Sequence, residues 1–190
     1  GRGRGAEEGL DPDDPGSANG SFSAVAYDAA ARRLRLISDR SFSRPIYFCL
    51  TDAGLAFASR FNALSAAGLA GGGLDMTAVF THFMFDDLHD TRTFLRDVGA
   101  MLPGETLSFD GRQLRSDRYW RPRYDPLRGS AVEMAEQLAA TLRSAARRQT
   151  ADLRRPAVFL SGGLDSRVLL AAADGVDFTA VTTVDWFNRE

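Results

Sequence analysis

The stretch Ala157-Val158-Phe159-Leu160-Ser161-Gly162-Gly163-Leu164-Asp165-Ser166-Arg167-Val168-Leu169-Leu170 constrains this chain more than any other. Its four leading apolar residues predict a buried strand, the Ser/Gly/Asp run a tight turn, and the residues beyond it the start of a helix. A strand that enters a helix through glycine makes an anion site. Glycine lets other groups approach the backbone closely, and the first amides of a helix have no intrahelical acceptor and point outward. Ser161 and Ser166 add hydroxyl donors, and Asp165 adds a carboxylate of the kind that holds magnesium. Phosphate is the natural guest, and ATP its most common carrier.

The familiar glycine-rich phosphate motifs do not fit. There is no G-x-x-x-x-G-K-[ST], and all 23 basic residues are arginine, so a Walker-type loop with its lysine is excluded. No G-x-G-x-x-G follows a strand either. The hexapeptide S-G-G-L-D-S at 161–166 instead resembles the PP-loop of the ATP pyrophosphatases, which grips the β- and γ-phosphates while chemistry occurs at the α-phosphate. The competing reading is a plain strand–turn–helix connection in an α/β domain. A six-residue match between a strand and a helix favours the nucleotide.

A length of 190 residues allows one or two domains, and 44% hydrophobic content is ordinary for a globular chain. The formal charge of −2, with scattered basic residues, carries no nucleic-acid signature. No apolar run approaches the ~18 residues of a membrane span. One cysteine excludes an internal disulfide and permits a reducing compartment, so a cytoplasmic location is expected. The chain begins at Gly1 and stops a few residues after a second apparent strand, so both ends look cut.

Taken in order, residues 1–18 are Gly-, Asp- and Pro-rich and read as a loop or disordered lead-in. Phe22 to Asp28, Arg33 to Asp39, Ile46 to Leu50 and Leu55 to Ser59 read as short strands joined by tight turns, which predicts an antiparallel meander. Phe61 to Ala67 reads as a helix stopped by Gly68. Asp75 can cap a helix whose Met76, Val79, Phe80, Phe83 and Met84 form one apolar face. Leu102-Pro103-Gly104 turns into a hairpin of Glu105 to Phe109 and Gln113 to Tyr119. The proline-rich residues 121–126 mark a linker. Ser130 and Glu133 form a capping box for a helix running to about Gln149, its buried side set by Met134, Leu138, Leu142 and Ala145. The strand, helix and second strand from Phe178 to Val184 that follow suit a βαβ unit and a parallel sheet.

With these landmarks in sequence, the chain resembles the asparagine synthase (glutamine-hydrolysing) family, class II glutamine amidotransferases with a PP-loop domain. The residues that carry the resemblance are Asn19-Gly20-Ser21-Phe22, then Asp39-Arg40-Ser41-Phe42-Ser43-Arg44-Pro45-Ile46-Tyr47, Phe57-Ala58-Ser59 before Ala63-Leu64, Leu102-Pro103-Gly104 with Tyr119-Trp120, and finally the loop at Ser161. The resemblance implies α+β followed by α/β. Residues 19–121 would be the antiparallel second half of an Ntn-type glutaminase-like domain (a partial glutamine amidotransferase type-2-like domain), 122–129 a linker, and 130–190 the start of a PP-loop, adenine nucleotide α-hydrolase-like parallel-sheet domain.

It also implies an enzyme. In this family a glutaminase domain releases ammonia from glutamine, and a synthetase domain uses Mg-ATP to turn a carboxylate such as that of aspartate into an acyl-adenylate. Pyrophosphate leaves, and ammonia attacks to give an amide. Ser161, Gly162, Gly163, Leu164, Asp165 and Ser166 would then cradle pyrophosphate, Asp165 would ligate Mg2+, and backbone near Phe159 and Thr183 would meet the adenine. The expected partners are small molecules, with no nucleic acid and no membrane.

The chain also departs from the family. The family's nucleophile is an N-terminal cysteine with its own amine as base. Gly1 stands here, no segment matches the glutamine-pocket motifs expected before Asn19, and Cys49 lies in the apolar run Ile46 to Leu50, where a thiol belongs to the core. No catalytic glutaminase residue is therefore expected in these residues, and the fragment alone is expected to be inactive. An amide ligase without glutaminase activity, like β-lactam synthetases or lasso-peptide cyclases, and a truncated inactive copy remain alternatives. Among other residues, His82 and His89 near Asp86, Asp87 and Asp90 read as a solvated acidic turn, Asp39 and Arg40 as a pair within a turn, and Tyr119 and Trp120 as packing between domains. Arg60 stands where the family often has glutamate. Arg167 could touch phosphate or pair with Asp185.

Overall fold

A computed structural model describes residues 10–88, 90–126 and 128–183. The chain divides into two compact units, Gly1–Arg123 and Tyr124–Glu190.

In the first unit β1 (Ser23–Asp28) and β2 (Arg33–Ser38) form a hairpin, as do β3 (Tyr47–Thr51) and β4 (Gly54–Ala58). Helices α1 (Phe61–Ala66) and α2 (Met76–Phe85) precede the short β5 (Gly99–Ala100) and the hairpin of β6 (Glu105–Phe109) and β7 (Leu114–Arg118). The strands do not form the expected meander. They make two antiparallel sheets, β1-β2-β6-β7 and β4-β3-β5. After β2 the segment 39–46 carries the chain into the second sheet, and β6 comes back beside β2 with Leu36 opposite Leu107. The reason is burial: all but one residue of β2 and every residue of β6 are buried or partly buried, so both need neighbours that tight turns alone do not supply.

The sheets pack face to face. Leu36 and Leu107 of the first sheet meet Ile46 and Met101 beside the second, with Leu34, Phe42, Phe48 and Leu55 around them. The period-two alternation of β3 serves two cores. Phe48 faces this one, while Tyr47 and Cys49 face a second one with Leu64 of α1 and Val98. Of the lead-in, residues 10–18 are held as loop with one 3-10 turn at Pro15–Ser17. Arg35 donates to Pro12 O and Asp13, and Arg40 donates to Gly16 O at 2.6 Å.

Helix α2 starts where Asp75 predicts, its carboxylate accepting from the Thr77 and Ala78 amides. The face named from the sequence is turned outward, however. Met76, Phe80, Phe83 and Met84 are exposed, and Ala78 is the residue that is fully buried. A methyl group lets the helix approach the body of the unit more closely than a phenylalanine ring would.

In the second unit α3 (Ala131–Thr150) begins with the complete Ser130/Glu133 capping box. β8 (Ala157–Phe159) and β9 (Thr179–Val181) pair in parallel, joined by α4 (Leu164–Ala172). Met134 and Leu138, expected on the buried side of α3, are exposed, and Ala173 is the one fully buried hydrophobic side chain among the described residues of this unit outside proline. A two-stranded sheet offers too little surface to cover a 20-residue helix. No helix of the described residues is long and apolar enough to cross a membrane.

Candidate functional site

Parallel strands cannot be joined by a tight turn, so the chain leaving β8 must cross over through a helix. Leu160 completes the sheet by donating its amide to Val181 O at 2.9 Å, and Thr182 Oγ1 donates to Leu160 O at 2.9 Å. The chain then leaves the sheet, and α4 starts after Gly163, whose lack of a side chain leaves the helix without a side-chain cap. Among the described residues, no protein acceptor meets the amides of Gly162, Leu164 or Asp165. Residues 161–165 are exposed, and a Cβ built on Gly162 would meet nothing within 4 Å. The outer face of this turn is open backbone carrying donors, at the positive end of a helix.

Ser166 braces the turn from inside. It is 9% exposed, its hydroxyl lies 3.1 Å from Ser161 Oγ and 3.1 Å from Ser161 O, and it accepts from the Ser161 amide at 3.2 Å. Ser161 Oγ in turn accepts from the Gly163 amide. These bonds fix the direction of the neighbouring amides. Arg167 donates to Gly163 O at 3.2 Å and Gly162 O at 3.4 Å, which sets a guanidinium against the loop's carbonyls; Asp185, its other candidate partner, lies outside the described residues.

Asp165 is exposed in the first turn of α4. Among the described residues no group of three or more His, Cys, Asp or Glu side chains is placed to hold a metal ion. Asp165 is the carboxylate that the described residues bring to this loop, an oxygen donor of the kind magnesium takes. Phe159 stands at the end of β8, 75% exposed, and Thr183 follows β9, also exposed.

The first unit carries a different polar feature. Asp39 is 1% exposed yet accepts from the amides of Phe22 (3.0 Å), Ser41 (2.8 Å) and Ser43 (3.1 Å) and from the hydroxyls of Ser41 and Ser43. It does not pair with Arg40 as expected; the guanidinium reaches Gly16 O instead. Burial pushes the Asp39 pKa up, but these hydrogen bonds outweigh it and hold the group below its ordinary value. The Tyr119 hydroxyl donates to Ser38 O at 2.5 Å inside the first unit. Sequence reading missed this hub. The signal was the serine spacing after Asp39, which lets side chain and backbone fold back on one carboxylate.

Cys49 is 1% exposed, and burial, helped by the charge of Asp97, pushes its thiol above the usual range. Burial and the raised pKa both disfavour the accessible thiolate that a nucleophile needs. His82 lies on α2 with its ring edge-on to Phe94 at 5.3 Å; His89 lies outside the described residues.

Comparison with protein families matches residues 12–120, more than half of the chain, to the glutamine amidotransferase domain. Comparison with curated proteins found no match.

Proposed function

We propose a function on the premise that this chain belongs to the glutamine amidotransferase domain family: it is part of an ATP-dependent amidotransferase like the asparagine synthases that hydrolyse glutamine. The first unit corresponds to the later half of the amidotransferase domain (19–121), residues 122–129 are the linker, and 130–190 open a PP-loop ATP-binding domain. The proposed substrates are ATP, a carboxylate such as aspartate, and glutamine or ammonia, in a cytoplasmic setting.

The single observation that supports ATP use is the turn at Ser161–Ser166, where a parallel strand delivers unengaged amides to the start of a helix. When the α-phosphate is attacked, negative charge gathers on the departing pyrophosphate. Amides of Gly162, Leu164 and Asp165, held in direction by the Ser161–Ser166 bonds, meet that charge without having to reorganise. Arg167 keeps a positive charge at the loop's edge. Asp165 would hold Mg2+, which when bound supplies further charge neutralisation on the phosphates. Phe159 and Thr183, at the ends of adjacent parallel strands, offer backbone to the adenine.

The test is exchange of labelled pyrophosphate into ATP by a full-length version of the protein, in the presence of aspartate and other carboxylates. Exchange is expected, and Asp165→Ala should lower it by ~100-fold or more. Exchange in the variant at the parent rate would remove Asp165 from the site, and absence of exchange with every carboxylate would remove ATP activation.

A further inference from the structure

The first unit holds a half-open pocket of about 670 Å³ formed wholly by its own residues, which neither the amidotransferase reading nor the loop at Ser161 uses. Its volume lies within the ~300–1,000 Å³ range of small-molecule sites. Phe42, Tyr47, Phe61 and Phe94 provide aromatic walls, all partly buried. Phe42 is held at φ 53°, a left-handed conformation that bulky residues seldom adopt, while its side chain packs on the core around Leu36 and Met101. The ring is therefore fixed in place.

One side of the cavity is electrically distinct. It takes in the C-terminal end of α2, where the helix dipole is negative, together with the C-cap residue Asp86 and its neighbour Asp87. The cationic Arg92 also lines the space, but it is held by Asp90 at 2.9 Å and faces Asp75 at 3.7 Å. No hydrogen bond or ion pair engages the Asp86 carboxylate among the described residues.

We propose that this cavity binds an organic cation, an ammonium or guanidinium carried on an apolar or aromatic body. The aromatic faces attract a cation through their quadrupoles and cover its apolar part. The helix end and Asp86 supply the complementary charge. An anion would meet the negative helix end and carboxylates, and a purely apolar ligand would leave that charge unused.

The probe is benzylammonium at neutral pH, with benzyl alcohol as its neutral counterpart, titrated into the whole chain and followed by amide NMR. Saturable shifts are expected at Phe42, Phe94 and Asp86, with benzylammonium binding about 10-fold more tightly than the alcohol. Asp86→Asn keeps the left-handed C-cap, because asparagine tolerates that conformation, and should bring the two ligands within about 2-fold of each other. Equal binding of the two ligands by the parent chain, an unchanged preference in the variant, or shifts elsewhere in the protein would each overturn the proposal. None of these outcomes depends on ATP or glutamine, so this site and the amidotransferase reading stand or fall separately.

Discussion

A carboxylate as enclosed as that of Asp39 has lost nearly all its water and must be repaid by donors within reach. It finds three amides and two hydroxyls, and with them it ties Phe22 at the start of β1 to the loop that carries the chain into the second sheet. Asp39→Asn turns an acceptor into a donor facing other donors, so the variant should lose ~2–4 kcal/mol of stability at neutral pH, measured by urea unfolding. The pH dependence follows from the lowered pKa. The folded state binds this proton less readily than the unfolded chain, so the stabilisation is full above the unfolded value of about 4 and disappears as pH falls through the folded value. The parent should lose stability more steeply on acidification below about pH 4 than Asp39→Asn does. Parallel acid-unfolding curves would show that the buried charge is not what holds this loop. The sequence displayed Asp39 and its serines plainly, but not their partnership. A neighbouring arginine is the obvious mate for an aspartate in one dimension, whereas in the fold Arg40 is drawn to the lead-in at Gly16.

Elements whose limits are set by local chemistry were legible. The Asp75 cap, the Ser130/Glu133 box and the Gly68 stop lie where the residues demand, because each acts on amides or carbonyls within one turn. What a helix face packs against was not legible, since that depends on distant chain: Phe83 is 82% exposed on α2, and Leu138 is 60% exposed on α3. Sheet order failed for the same reason, because a strand's second neighbour is chosen by burial and not by its turn. The turn before β6 makes a sharp element-level test. Gly104 has φ 63°, donates its amide to Asp39 O at 2.8 Å, and a Cβ there would lie 2.7 Å from Trp120 O. Gly104→Ala combines a left-handed strain with a backbone clash and should cost at least ~2 kcal/mol in urea unfolding. Gly162→Ala, at open space, should cost under ~1 kcal/mol. Equal losses would mean that the contact with Trp120 yields freely.

At the scale of the molecule the two units differ in how much they bury. Unit one has two core clusters drawing on both sheets and α1. Unit two has a two-stranded sheet, and most of α3 is exposed. Residues 121–126 between them are exposed and free of regular structure, as the proline content suggested. Local unfolding, which proteases report, concentrates where few apolar contacts oppose it. Trypsin has suitable targets here: Arg121 is shielded by Pro122, but Arg123 and Arg128 are exposed and are not followed by proline. Limited digestion should therefore leave a lasting fragment ending at Arg123 or Arg128, while peptides from α3 and α4 are lost by further cutting at exposed arginines such as Arg143 and Arg154. Mass spectrometry of the digest over time reads the order of loss. A persistent fragment running from the first unit through α4 would show that the second unit gains more from its surroundings than its own core supplies. In that case the open turn at Ser161 would be as firmly supported as the sheets of unit one. If the expected order holds, the same turn sits on the less stable part of the chain. ATP binding should then slow the loss of α3 and α4, since a ligand that binds only the folded form shifts the opening equilibrium in proportion to its concentration over its Kd.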